Sequence, residues 1–311
     1  MTGRHLIMGV VLGLAAAGSW ASQDDRSAVH TLSFSPPSGT QCELSQVDER
    51  ISYLGMNEAP VSTERLEREV DCQMSRDEAG WAVTMKLTGY RFVKNGEEAE
   101  NPLMEALQAH PLTLFLDAGG HAREVRGQDA VVQALKADGV PAEGPLSEKS
   151  FGARLLGEWE SRIGQFLGQP LVPGATVEQT EPGESGYTTR VTYRWVEACG
   201  QAGCIQVDQS FESDLSAVID AMKPALVSLV QEASRGQIDD LSGRDARLTG
   251  QAVRLLDAQT GLILQERIER ETHLVIEAEG KPPAPVRLLE IQSRDYDYTF
   301  PEAEPVATVA K

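Results

Sequence analysis

The four cysteines are the residues whose type and spacing offer the clearest chemistry. Cys199 and Cys204 bound a four-residue, glycine-containing loop between two runs of alternating polarity, so we predict a disulfide across that loop. Cys42 and Cys72 remain as the second pair, and closing their loop of about 30 residues stabilises by roughly 3–4 kcal/mol in the chain-entropy model. The alternative is a metal site built from all four cysteines, which the spacing disfavours because neither pair has the two-residue gap of a zinc knuckle.

Catalytic motifs are absent from the sequence. It contains no nucleophile elbow, no Ser-x-x-Lys pair, no His-Glu-x-x-His helix and no phosphate-binding glycine loop. The histidines after the N-terminal segment are far apart, and we interpret His121, which follows Gly119-Gly120, as a solvated turn residue. The other three are His30, His110 and His273.

Two carboxylate pairs, Asp239-Asp240 and Asp295 with Asp297, could in principle support acid–base chemistry. Neither pair has the spacing of a calcium loop, and Tyr296 and Tyr298 alternate with the second pair, which predicts a strand with its acids in solvent. We therefore predict no catalytic, cofactor-binding or metal-ligating residue. Distant residues that converge in the folded chain remain open as an alternative.

The N-terminus predicts export. Arg4 and His5 precede an apolar run from Leu6 to Ala17, and Ser19 and Ala21 provide the small residues of a cleavage site. The run is shorter than the roughly 20 apolar residues that a membrane span needs. We therefore expect cleavage after Ala21 and a periplasmic or secreted protein without a membrane span in its mature chain.

The composition narrows the classes of molecule that the protein could bind. The formal net charge of −19 disfavours nucleic acid, which requires a basic surface, and is typical of a soluble exported protein. The partners stay unknown at this stage. An apolar small molecule and another envelope protein are the two candidates, and no cofactor is expected.

The pattern of the chain predicts an α+β fold, in which an antiparallel sheet is covered by two amphipathic helices, Phe151–Leu167 and Leu215–Ala233. On the first helix, Trp159 should bury its indole against the sheet, with Glu158, Glu160 and Arg162 on the opposite face. The polar middle of Leu262–Ile276 predicts an exposed or edge strand. The predicted segments are a signal peptide (1–21), a first β-rich half (22–146), a connecting helix (147–169), a second β-rich half (170–300) that includes helix 215–233, and a disordered tail (301–311).

A repeated phrase predicts that the two halves are similar. Leu116-Asp117-Ala118 and Leu256-Asp257-Ala258 each begin a turn between two strands. Two irregularities are also expected. The apolar residues around Gly89 change parity, which predicts a bulge, and matching Trp195 with Val207 requires a second bulge at the cysteine loop.

These phrases resemble an uncharacterised family of exported bacterial proteins, many of them lipoproteins. The resemblance covers nearly the whole mature chain and lies in Leu32-Ser-Phe to Gly39, Leu116-Asp to Gly120, Pro170 to Gly174 and Leu256-Asp to Gly261. This chain departs from the lipoprotein members because it lacks a lipobox cysteine. The resemblance implies export and this fold, and it implies no activity.

The sequence leaves three functions open. The first is a non-catalytic binding protein of the cell envelope, with an apolar molecule as candidate ligand. The second is a structural or protein-interaction module. The third, which the absence of motifs makes the weakest, is a hydrolase whose site is assembled from distant acidic residues.

Overall fold

The computed structural model describes residues 30–55, 59–141, 146–172, 174–182, 188–196, 203–216, 219, 223, 226–227, 241–278 and 282–301. The predicted signal peptide, Cys199, the pair Asp239-Asp240 and most of the predicted helix Leu215–Ala233 lie outside these residues. So does nearly all of the predicted tail.

The strands alternate in polarity as the sequence predicts, and they form an antiparallel sheet. Their bounds are β1 His30–Thr31, β2 Gln41–Leu54, β3 Ser62–Arg76, β4 Trp81–Lys94, β5 Glu97–Glu98, β6 Leu112–Leu116, β7 Ala122–Arg126, β8 Pro170–Leu171, β9 Thr176–Pro182, β10 Thr188–Val196, β11 Cys204–Asp214, β12 Leu241–Asp257, β13 Ile263–Ala278 and β14 Ala284–Thr299.

Twelve of these strands form one sheet in the order β7-β6-β4-β3-β2-β14-β13-β12-β11-β10-β9, with β5 added beside β4. Each of its pairings is antiparallel, and only β14 and β2 are paired across the length of the chain. β1 and β8 form a separate two-stranded sheet. The two β-rich segments of the sequence therefore contribute to a single sheet.

Strong curvature of the sheet follows from the position of its two Leu-Asp-Ala turns. Six strand spacings separate these turns, so a flat sheet would hold them about 29 Å apart. Both nevertheless contact the short segment Ser33–Ser35. Ser35 N donates to Thr260 O at 2.9 Å in one turn, and a Cβ on Gly120 in the other would lie 2.8 Å from Phe34 Cγ. We call the face on which Phe34 is buried the inner face.

The described residues include three α-helices. α1 (Pro102–Ala109) starts at Asn101, whose side chain accepts from Met104 N, and α2 spans Gln128–Ala137. α3 spans Glu148–Arg162 and is capped by Ser147. The prediction that α3 runs unbroken to Leu167 is wrong. At Ile163 the backbone leaves the helical region (φ −121°), and a 3-10 helix, Gly164–Phe166, continues the chain.

The first apolar cluster joins the inner face to the segment after α3. Phe34, Trp81, Phe166 and Leu256 are buried in it together, although their strands lie far apart in the sheet. The second cluster lies at the other end of the long strands, where Leu274 and Val286 pack with Ile219 and Leu226 of the predicted second helix. A third, smaller cluster holds the helices together through Val131, Leu135 and Phe151.

Two predicted register details can be compared with the structure. Glu69 pairs with Gly89 but Val70 pairs with Leu87, so the bulge near Gly89 is confirmed. β10 pairs with β11 in the register that places Trp195 opposite Val207, as predicted. The bulge predicted at the cysteine loop lies outside the described residues.

The prediction of an exposed or edge position for Leu262–Ile276 is wrong. β13 lies between β12 and β14 over nearly its full length. Its polar middle divides between the two faces, so Glu266 is buried on the inner face while Arg267 is exposed on the outer face. Glu266 tolerates this position because it is paired there with arginines.

Candidate functional site: a buried arginine cluster

A single carboxylate, that of Glu266 on β13, is the centre of the cluster. The register of the sheet places Arg254 of β12 on one side of it and Arg294 of β14 on the other. Arg254 Nε lies 2.7 Å from Glu266 Oε1, and Arg294 Nη1 lies 2.6 Å from Oε2. The Glu266 side chain has no exposed surface. It is the only buried acidic residue in the described part of the chain.

The third arginine comes from helix α3, above the sheet. Arg162, in the last turn of α3, donates from Nε to Glu266 Oε2 at 2.8 Å and from Nη2 to the hydroxyl of Tyr296. The prediction that Arg162 lies on the solvent face of its helix is therefore wrong. The helix ends over the inner face, and the carboxylate beneath it attracts the guanidinium.

The charges of the cluster shift one another's pKa. Burial alone would raise the pKa of Glu266, but the positive charges of Arg162, Arg254 and Arg294 lower it to about 2. Burial lowers the pKa of Arg294, and the neighbouring charge of Arg162 lowers it further. Glu266 is therefore ionised at neutral pH, and Arg294 lies where positive charge is in excess.

A row of polar residues continues from the cluster across the inner face. Arg294 pairs in register with Gln46 of β2, and Gln46 pairs with Arg68 of β3. Gln46 donates from Nε2 to both carboxylate oxygens of Asp48 at 3.0 Å, and Arg68 Nη2 also bonds that carboxylate. Arg68 Nε is buried without a hydrogen-bond partner. We call Arg254, Glu266, Arg294, Gln46 and Arg68 the inner belt.

The inner belt is positively charged although the chain is acidic. Three arginines surround Glu266, and a fourth, Arg68, is paired with Asp48. The chain as a whole carries −19. The belt also lies between the two apolar clusters, so the inner face changes from apolar to charged and back to apolar along its strands.

The turn that contains His121 is fixed to α3. His121 Nδ1 lies 3.2 Å from Glu160 Oε2, and Ala122 N donates to Glu160 Oε1 at 2.5 Å. The His121 side chain remains 45% exposed, as expected of a turn residue. Glu160 was predicted to face solvent, which is wrong, because its carboxylate accepts the backbone N–H of Ala122 and contacts the His121 ring.

Trp159 is half-buried and packs beside the same turn. Its indole Nε1 donates to Gly120 O at 2.8 Å, and its ring meets the Phe34 ring edge-on at 5.5 Å. Helix α3 therefore uses its tryptophan to hold the turn and the segment of Phe34, and the ring also packs against the first apolar cluster, which includes residues of the sheet.

The disulfide between Cys42 and Cys72 is confirmed. The two residues are directly opposite each other on β2 and β3, with Cα atoms 4.9 Å apart. Cys204 is also disulfide-bonded. Its predicted partner, Cys199, lies outside the described residues, so that pairing stays a prediction.

The remaining predicted site residues are dispersed. His110 ends α1, His273 lies 3.3 Å from Glu271 on the outer face, and His30 lies in β1. Asp295 and Asp297 are exposed, as predicted, while Tyr296 and Tyr298 pack against the first apolar cluster. Within the described part of the chain, no group of three histidine, cysteine or acidic residues could hold a metal ion.

An open cleft of about 450 Å³ lies on the outer face beside the disulfide. Glu43, Asp71 and Asp297 occupy neighbouring positions in it, and Lys86 follows on β4. Each of these charged groups also reaches solvent, so the cleft lacks the burial that distinguishes the inner belt.

Sequence reasoning missed the arginine cluster, although a signal was present. Ala252, Arg254 and Leu256 share one parity, so the arginine occupies a position of the buried face. Arg294 likewise shares parity with Tyr296. An arginine in phase with apolar residues indicates a buried charge that requires a partner.

Comparison with known proteins supports the fold. No family model matches the chain, and no curated protein is similar to it in sequence. A lipovitellin structure concerned with lipid–protein interactions is 14% identical, with a TM-score of 0.50 over 89% of this chain and 27% of that one. This chain thus spans about a quarter of that protein, and the likeness shows a shared fold alone.

Two outer membrane proteins of Pseudomonas aeruginosa, OprG and OpdQ, also align, at 5% and 6% identity. They cover 86% and 84% of this chain and 99% of their own, each with a TM-score of 0.22. Scores this low carry no argument about the fold. Among the described helices, none has the length and apolar character to cross a membrane.

Proposed function

We propose that the protein is an exported, non-catalytic binding protein of the cell envelope whose ligand is a small molecule with a large apolar part. One observation carries the proposal: the curved sheet has an inner face on which two apolar clusters flank a charged belt. A surface of this kind suits a ligand with an apolar body. The lipovitellin structure of similar fold concerns lipid–protein interactions, which makes lipids the first class to test.

Export rests on two features. The Cys42–Cys72 disulfide indicates an oxidising compartment. The predicted signal peptide supports export to the periplasm or the medium. The resemblance to an exported bacterial family is in agreement with both and remains part of the proposal.

A binding role fits the cluster better than hydrolysis does. A hydrolase built on acidic residues needs one that exchanges a proton near neutral pH. Arginines hold Glu266 ionised, with its pKa lowered to about 2, so it cannot act as a general acid at pH 7. Its two carboxylate oxygens are also occupied by hydrogen bonds.

The finer description of the fold, two weakly similar halves with two amphipathic helices packed on the sheet, belongs to the same proposal. It is supported by the two turns, because Asp117 Oδ1 accepts from Gly119 N and Asp257 Oδ1 accepts from Gln259 N. Both turns also contact the segment Ser33–Ser35. Superposition of the halves tests this idea, which fails if the strands beside the turns do not align together.

A structural or protein-interaction module is the second candidate function. It is favoured by the dense packing of the first apolar cluster, in which Phe166, Leu256 and Leu262 have almost no exposed surface. In such a module the helices would serve only to fill the core.

Native mass spectrometry of the protein purified from its own compartment separates the two candidates. A binding protein should retain a bound species of a few hundred daltons, which organic solvent extracts, and the extracted protein should take up added lipid. A molecule that carries nothing and takes up no apolar compound from a panel would refute the binding proposal. The denatured mass, with and without reductant, tests cleavage after Ala21 and the presence of two disulfides.

A further inference from the structure

We propose that the inner belt binds the oxyanion of an amphipathic ligand, a carboxylate or a phosphate joined to an apolar chain. This inference rests on the proposed function, because the inner face is taken as the surface that holds the apolar part. It adds the chemical group that the ligand must carry and the residues that recognise it.

The first argument is the hydrogen-bonding state of Arg294. Its residue surface is 7% exposed, and Nη1 is the only nitrogen of its guanidinium that makes a hydrogen bond, to Glu266. Nε and Nη2 therefore have donors without a protein partner. A guanidinium offers five N–H donors in a planar fork that matches an oxyanion, so these two nitrogens can donate to one.

The second argument is that other free donors lie along the same belt. Arg68 Nε is buried and unpaired, and Arg68 bonds Asp48 through Nη2. Arg162 uses Nε and Nη2, which leaves Nη1 free. Arg294 and Arg68 flank Gln46 on neighbouring strands, so they lie about 10 Å apart across the sheet. An oxyanion over Gln46 is within reach of both.

The third argument is charge. Around Glu266 the cluster holds three positive groups and one negative group, and removing such charges from water is unfavourable unless they are paired. The lowering of the Arg294 pKa by the charge of Arg162 has the same origin. A bound anion would neutralise this excess. A neutral ligand would leave it unchanged.

An apolar surface lies directly beside these donors. Leu66 and Phe92 pair in register on β3 and β4, two residues along the strands from Arg68, and both are half-buried. The chain of an amphipathic ligand can therefore cover Leu66 and Phe92 while its oxyanion lies at the belt.

The test is a binding titration of delipidated, full-length mature protein with three probes that share one alkyl chain: dodecanoate, dodecyl phosphate and dodecanol. Calorimetry or displacement of a fluorescent fatty acid measures Kd. We expect at least one of the two anions to bind about tenfold or more tightly than dodecanol. Which anion binds better identifies a carboxylate or a phosphate ligand.

Two variants locate the effect. Arg294→Gln and Arg68→Gln should each weaken binding of the preferred anion by about tenfold and leave dodecanol binding unchanged. Arg267→Gln is the matched control, because it removes the same charge from an exposed position on the outer face of β13. It should leave every Kd within about twofold. Arg294→Lys keeps the charge without the fork and should restore only part of the affinity.

The outcomes separate this inference from the function on which it rests. The belt is not the anion site if dodecanol binds as tightly as both anions. The same conclusion follows if Arg267→Gln weakens binding of the anions as much as Arg294→Gln and Arg68→Gln do. In either case the apolar binding function stands. If none of the probes binds, both ideas fail for this ligand class. Arg68→Gln keeps the test decisive if Arg294→Gln does not fold, since Arg68 is about one quarter exposed and lies outside the Glu266 cluster.

Discussion

Glu266 and Glu269 lie three residues apart on β13, and each is paired with arginine, yet their surroundings differ completely. Glu266 has no exposed side-chain surface and bonds three arginines, whereas Glu269 is 35% exposed and bonds Arg267 at 2.6 Å. An exposed pair contributes about 0–1 kcal/mol, while breaking a buried pair costs about 3–5 kcal/mol because a buried charge loses its partner. The same kind of ion pair therefore contributes very differently to stability on the two faces of one strand.

The largest effect is expected for Glu266→Gln. The substitution keeps the shape of the side chain but leaves three arginines without their anion, so we expect a loss of about 3–5 kcal/mol in the free energy of unfolding. Chemical denaturation at pH 7 measures it. Glu269→Gln is the matched control and should change stability by no more than about 0.5–1 kcal/mol. Equal effects of the two substitutions would contradict the comparison.

The pH dependence sharpens the same comparison. The folded-state pKa of Glu266 is lowered from 4.5 to about 2, so its stabilisation is fully present above pH 4.5 and is lost as the pH falls towards 2. The shift corresponds to about 3 kcal/mol. The difference in unfolding free energy between wild type and Glu266→Gln should therefore shrink steadily from pH 5 to pH 2.5. A constant difference over this range would show that Glu266 does not titrate as described.

A substitution in helix α3, which ends over the inner face, should cost less stability than a substitution in the arginine cluster beneath it. Trp159→Ala removes a half-buried ring and its hydrogen bond to Gly120 O, so we expect a loss of about 2–3 kcal/mol, below the 3–5 kcal/mol of a fully buried aromatic residue. Trp159→Phe keeps the ring contact with Phe34 and should cost about 1 kcal/mol. A loss below about 1 kcal/mol for the alanine variant would instead make this helix a candidate binding surface.

The smallest effect is expected on the outer face. Arg267→Gln removes an ion pair whose arginine side chain is 57% exposed, and the free energy of unfolding should change by about 0.5 kcal/mol or less. Thermal unfolding at low and high salt provides the measurement. A larger, salt-dependent loss would mean that the outer-face charges act as a network.

Much of the fold was predictable because its signals are local. The parity change at Gly89 and the matching of Trp195 with Val207 each predicted what the structure has. The Cys42–Cys72 pair followed from the even number of cysteines. The order of strands in the sheet was not predictable, because the contact of β14 with β2 joins the ends of the chain and leaves no local pattern.

The inner belt was missed for a related reason. Gln265, Glu266, Arg267 and Glu269 form a polar run in which residues of both faces are charged, so alternation in polarity vanishes. Only the neighbouring strands reveal which of these charges is buried, since the arginines that pair with Glu266 lie 12 and 28 residues away on β12 and β14. Helix α3 adds Arg162 from 104 residues away. Single-sequence periodicity carries no information about such contacts.

The segment Ser33–Ser35, which joins the two turns, also sets an order of events for each new chain. Ser35 bonds to Gln259 across 224 residues, and closing so long a loop costs more chain entropy than closing the 30 residues between Cys42 and Cys72. The short Cys42–Cys72 hairpin is therefore expected to form before the contact of Ser35 with Gln259. The curvature of the sheet is therefore completed late, by residues that were among the first to be made.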